Sequence, residues 1–207
     1  MHASRLYQAA ALSLVLGGLL VALGELLEPL GDNPKALVAS GLYYPSAAAI
    51  LVGGLLFIAG WPAVYLKQRG PAGILGLTGM LLVLAAGALV TLAISLIRLL
   101  IGPWLTTLSI SESALQAGPP ALGTYFLAVG LLATVGGVVF AIATIRARSF
   151  SRVVAAGILV LVIVNLVISA LSLPGLLGNL GLVAYMLGIA WLGVELYRGV
   201  GIKPIEP

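Results

Sequence analysis

The chain has 207 residues, 61% of them hydrophobic, with ten Lys or Arg against six Asp or Glu. A charged fraction of 8%, where soluble domains carry roughly 25%, excludes a soluble globular protein, a disordered chain and a nucleic-acid binder. Zero cysteines and a single histidine, His2, exclude disulfides, thiolate metal sites, iron–sulfur clusters, cysteine nucleophiles and any buried imidazole.

A helix needs about 20 apolar residues to cross roughly 30 Å of hydrocarbon. Uncharged apolar runs predict six such helices, over 6–28, 45–66, 72–101, 121–145, 153–173 and 176–197. Membrane strands would alternate apolar and polar positions, whereas Leu81–Val90 and Gly157–Val164 are apolar on every side. The expected fold is all-α: one polytopic bundle of six transmembrane helices, a single domain over 1–207.

In chain order, the first segment reads as a retained helix. Its apolar run from Ala9 to Leu27 exceeds a signal-peptide core, and the acidic stretch Glu25–Asp32 lacks a small-residue cleavage site. Asp32-Asn33-Pro34-Lys35 then predicts a capped short helix, closed near Gly41. Pro62 predicts a kink near the end of the second segment. A basic turn with Lys67 and Arg69 makes the second and third segments a tight hairpin. Gly102-Pro103 and Gly118-Pro119-Pro120 bracket a loop containing Ser111-Glu112-Ser113. Arg146, Arg148 and Arg152 mark the turn of a second hairpin, between the fourth and fifth segments.

Basic residues orient this frame. With six alternating helices, Arg5, Lys67, Arg69, Arg146, Arg148, Arg152, Arg198 and Lys203 share one side, and only Lys35 lies in a loop on the other. The positive-inside rule then places both termini in the cytoplasm. Tyr7, Trp61, Tyr65 and Tyr197 fall near the inner ends, and Tyr43, Tyr44, Trp104 and Tyr125 near the outer ends, as interfacial belts.

Twenty-seven glycines are nearly double average usage, and small residues let helices approach closely in lipid. Ser13, Gly17, Gly24 and Glu28 share one face of the first segment. Gly73, Gly76 and Gly79 recur on the third, and Gly178, Gly181, Tyr185, Gly188, Leu192 and Glu195 form a stripe on the sixth. Gly53–Phe57 and Gly136–Phe140 each precede a basic turn and a Gly-Ile-Leu triplet, at offsets that would suit two duplicated hairpins.

Polar residues gather toward the outer half, where Glu25, Glu28, Thr91, Ser95, Arg98, Asn165, Ser169, Ser172, Asn179 and Tyr185 suggest an outward cleft. Arg98 and Glu25 lie at similar depth, which predicts an ion pair with Glu25 or with Glu28. Thr91 and Ser95 are expected to bond back to their own helix, and Asn165 and Asn179 to glue helices together. Glu195 and Arg198, three apart, predict a helix-surface pair.

Catalytic machinery is not legible. There is no buried histidine or aspartate for intramembrane proteolysis and no phosphate loop with its lysine; Glu25 and Glu28 alone fall short of a metal-binding carboxylate cluster. Repeated pore motifs and voltage-sensing arginines are likewise absent. No enzyme, cofactor or metal is expected.

Phe140–Arg146 with its basic turn, and Gly188–Gly193 before Tyr197-Arg198, resemble segments of uncharacterised bacterial membrane proteins with about six helices. That resemblance implies a bacterial inner membrane and no particular activity. In topology alone, the frame is similar to the substrate-binding components of energy-coupling-factor vitamin transporters, although no motif of theirs is present. Two functions are expected from these features. One is an accessory or scaffold subunit, its small-residue faces covered by other membrane subunits or a second copy. The other is a transport component binding an apolar small molecule or lipid in the outward cleft, with partners limited in both cases to bilayer, membrane proteins and ligand, not nucleic acid.

Overall fold

The computed structural model describes residues 2–31, 33–171 and 176–199, and these are helical with no strand. The elements are α1 (His2–Leu27), α2 (Pro34–Ala39), α3 (Tyr43–Leu96), a π-helical turn (Ile97–Ile101), α4 (Gly102–Thr106), α5 (Glu112–Ala117), α6 (Pro120–Ala147), α7 (Arg152–Ala170) and α8 (Leu176–Gly199). Four stretches are long and apolar enough to cross a membrane: Ser4–Leu27, Tyr43–Thr106, Ser113–Ala147 and Asn179–Gly199. The apolar part of α7, Arg152–Ile168, is shorter.

The 54 residues of α3 are two limbs. Gly73 sits at φ 53, ψ −148, a conformation that a side chain would strain, and there the helix turns back on itself. The limbs run antiparallel: a Cβ on Gly54 would strike Thr91, one on Gly87 would lie 2.9 Å from Phe57, and one on Gly76 3.5 Å from Tyr65. Pro62, where the sequence predicts a kink, keeps helical φ/ψ and does not unwind the helix. Pro62 lies inside the first limb, and Gly73 is the only residue of α3 with non-helical φ/ψ.

The second limb runs past its predicted end at Ile101, through a π turn and α4, to Thr106. Its α-helix stops at Leu96 and widens into the π turn that carries Arg98, closed by Gly102 N–H on Ile97 O. Pro103 is the local cause, because it has no N–H to give and its ring crowds the preceding turn. The loop beyond holds α4 and α5, where Ser111 Oγ caps α5 at Ala114 N and Gly118 ends it at φ 58. Asn33 caps α2 as its sequence predicts, accepting from Lys35 N at 2.9 Å and Ala36 N at 3.2 Å. Ser40 rather than Gly41 closes that helix, donating its N–H to Leu37 O.

α1, the two limbs of α3, α6, α7 and α8 form a closed ring in which every neighbour is antiparallel. Glycine sets the spacing. A Cβ on Gly17 would lie 2.8 Å from Gly53 O, one on Gly79 2.5 Å from Phe140 N, one on Gly137 2.9 Å from Val162, and one on Gly193 2.9 Å from Ala11 O. Inside the ring, Trp61 is 1% exposed, its ring centre 5.1 Å from Phe57 and 4.9 Å from Phe140. Trp61 is therefore core and not interfacial belt, because the first limb turns it inward. Tyr44, Trp104 and Tyr197 stay exposed.

At the end holding the basic turns, three polar contacts tie the ring. Gln68 Nε2 donates to Thr144 Oγ1 at 2.9 Å, linking α3 to α6 in a fully buried contact. Lys67 Nζ reaches Glu195 O at 3.5 Å and lies 4.3 Å over the Phe150 ring. Glu195 itself accepts from Ser151 N at 3.0 Å and from Ser151 Oγ, and that hydroxyl also receives Val154 N at the start of α7. The expected Glu195–Arg198 pair is thus replaced. The N-terminus of α7 offers donors in fixed geometry, where Arg198 would have to order a long exposed side chain.

Candidate functional site

The opposite end of the ring, where α2 and α4 meet α3 and the π turn, holds a second polar cluster. α1 ends there with Glu25 and Glu28, the π turn brings Arg98, and α8 begins there with Asn179. Arg98 Nη2 meets Glu28 Oε1 at 2.6 Å, with the two side chains 20% and 27% exposed. Asn179 Nδ2 donates to Glu28 Oε2 at 3.4 Å and to Glu25 O at 3.3 Å. One carboxylate thus joins α1, the π turn and α8. Arg98 Nη1 is buried without a hydrogen-bond partner among the described residues.

Glu25 behaves differently. It is 5% exposed, and among the described residues no hydrogen bond or ion pair reaches its carboxylate. It faces a cavity of about 600 Å³, bounded by Glu25 of α1, Phe57, Val83 and Gly87 of α3, Gly130 and Leu131 of α6, Asn165 of α7, and Asn179 and Tyr185 of α8. The size is that of a small-molecule site, and so is the pattern of a mostly apolar wall with a few polar groups.

Four of the residues singled out by sequence line this cavity: Glu25, Asn165, Asn179 and Tyr185. Glu28 and Arg98 stand beside it as the ion pair. Ser169 belongs to α7, but its side chain lies outside what the structure describes, and Ser172 lies wholly outside the described residues. Thr91 is buried against Gly54, away from the cavity lining. Ser95 Oγ is buried with no hydrogen-bond partner among the described residues, so it does not bond back to its own helix as expected.

Sequence reading missed the α6 wall. Thr134 lines the cavity with its hydroxyl turned to Gly130 O at 2.8 Å, and Gly130 has nothing within 4 Å of where a Cβ would stand. The same holds for Gly123, whereas a Cβ on Gly136 or Gly137 would strike a neighbour below 3 Å. Gly123 and Gly130 thus face open space, while that half of α6 still packs through buried Val129 and through Tyr125 Oη, which donates to Leu89 O at 2.9 Å. Leu127 and Leu131 line the cavity yet are 65% and 54% exposed on the outside of the bundle, which makes this wall a lateral gap. The only hint in the sequence is the glycine spacing, which reads alike for packed and open positions.

No three acidic or histidine side chains among the described residues gather closely enough to hold a metal ion. No family model, curated protein or solved structure matches this chain.

Proposed function

We propose that this chain is a membrane-embedded binding component for a mainly apolar small molecule or lipid, without catalysis of its own. The cavity of about 600 Å³ carries this reading, because it gathers polar side chains from α1, α7 and α8 into one apolar chamber. The gap at Leu127, Gly130 and Leu131 would admit such a ligand from the bilayer rather than from water. The scaffold reading needs a small-residue face left for a partner. Gly17, Gly53, Gly60, Gly79, Gly136 and Gly193 are used against other helices of the same chain, which leaves Gly123 and Gly130 on α6 and Gly157 on α7 uncovered, with Gly130 in the cavity lining.

The membrane frame belongs to the same proposal: six crossings, with both termini in the cytoplasm of a bacterial inner membrane. The reversal at Gly73 supports counting α3 as two crossings, and the antiparallel ring puts the basic turns at one end. The positive-inside rule then supplies the orientation.

Native mass spectrometry of the purified chain tests the binding reading. A saturable adduct of one apolar molecule per chain is expected. Gly130→Phe, which fills the open side without a backbone clash, should weaken it at least about tenfold, as blocking a desolvated pocket does. A chain that carries no saturable adduct, with or without that substitution, overturns the proposal.

A further inference from the structure

We infer that the molecule held in the cavity carries one positive charge, set against Glu25. The inference rests on the cavity being a ligand site and adds the chemistry of its occupant.

Among the described residues, Arg98 and Glu28 are the charged groups that act electrostatically on Glu25. Arg98 is already committed to Glu28 at 2.6 Å, and the second oxygen of Glu28 receives Asn179. Two carboxylates therefore share one guanidinium, and Glu25 is the one left over. It is 95% withdrawn from solvent and lines the chamber. A carboxylate so placed is costly unless a cation or a proton meets it.

Among the described residues the lining contains no Lys or Arg, and Arg98 beside it is already paired with Glu28, so an anionic headgroup would oppose Glu25. A neutral amphiphile brings no counter-charge and would leave Glu25 to be met by a proton alone. An ammonium supplies the missing charge and three N–H donors; besides Glu25, the Asn165 carbonyl oxygen and the Tyr185 hydroxyl stand in the same lining as acceptors. The remaining walls, Phe57, Val83 and Leu131 among them, require an apolar body behind that head. The occupant is thus a primary amine on an apolar chain. Two sources share this chemistry: the ethanolamine headgroup of a membrane lipid, its phosphate lying outside the chamber on the Arg98 side, and a free amphiphilic amine.

The test uses the full chain in phosphatidylcholine nanodiscs, with dodecylamine, dodecanol and dodecanoate as probes that share one tail. Bound probe is counted by native mass spectrometry. Dodecylamine should saturate at one molecule per chain, with dodecanol about tenfold weaker or more and dodecanoate weaker still. Glu25→Gln should remove the advantage of the amine over dodecanol. Glu25→Asp, which keeps the charge, should retain the preference. Amine and alcohol binding alike, or a preference insensitive to Glu25→Gln, overturns the charge assignment while the cavity reading stands. No saturable binding of any probe sinks both. Replacing part of the phosphatidylcholine by phosphatidylethanolamine separates the sources. Displacement of dodecylamine points to the lipid headgroup and undiminished binding to a free amine, and either agrees with a cation at Glu25.

Discussion

Arg98 is the base that the orientation rule leaves unexplained, and its environment shows how much one residue depends on local backbone. Depth alone offered it two carboxylates three residues apart, Glu25 in the last turn of α1 and Glu28 just past its end. The π turn over Ile97–Ile101 brings its guanidinium to Glu28 and leaves Glu25 to the cavity. The pair is about a quarter exposed, between the weak surface case and the strong buried one. Arg98→Leu should therefore cost roughly 1–3 kcal/mol of stability in detergent, since Glu28 loses its counter-charge. Adding Glu28→Gln should recover part of that loss, and thermal melts of the two single variants and the double variant measure the coupling. A purely additive double variant would mean that the contact contributes nothing. Ser151 and Glu195 carry the same lesson, because hydrogen-bond geometry at a helix start outcompetes a charge neighbour on the same helix.

At the scale of elements, glycine decides which helices touch. Gly53-Gly54 and Gly136-Gly137 act alike: in each pair one glycine meets the preceding helix and the other meets its own hairpin partner. The two similar sequence segments therefore occupy equivalent places in the ring. Gly17→Ala should destabilise by more than about 2 kcal/mol, because the added Cβ would lie 2.8 Å from the backbone of Gly53 and Phe57. Gly123→Ala should be neutral, or stabilising by up to about 1 kcal/mol, since nothing lies within 4 Å and alanine favours the helix. Comparing the melting temperatures of the two variants checks the claim that one glycine is a contact and the other a gap. Equal shifts would contradict it.

At the scale of the molecule, the proposed topology is open to direct measurement because the chain has no cysteine of its own. Single cysteines at Arg148 and at Ser113 stand at opposite ends of the ring, both on exposed positions. An impermeant maleimide added to intact cells should label Ser113→Cys at once, and Arg148→Cys only after the membrane is opened. The reverse pattern would invert the orientation, and labelling of both in intact cells would break the antiparallel frame.

The composition and the lengths of the apolar runs determine an all-helical membrane chain by themselves, since hydrocarbon demands satisfied backbone and about 20 residues per crossing. The hairpin turns at Lys67–Gly73 and Arg146–Arg152 are equally legible, because charges and glycine punctuate the runs. The depth of Glu25, Asn165, Asn179 and Tyr185 was legible too, and these residues do line one cavity. What depth cannot convey is azimuth: in a chain apolar on every face, no periodicity tells which side of a helix looks inward. Only the packed ring turns Trp61 into the core, assigns Arg98 to Glu28 and leaves Glu25 unpaired. It also opens α6 at Gly130, because those outcomes depend on which backbones come within van der Waals contact.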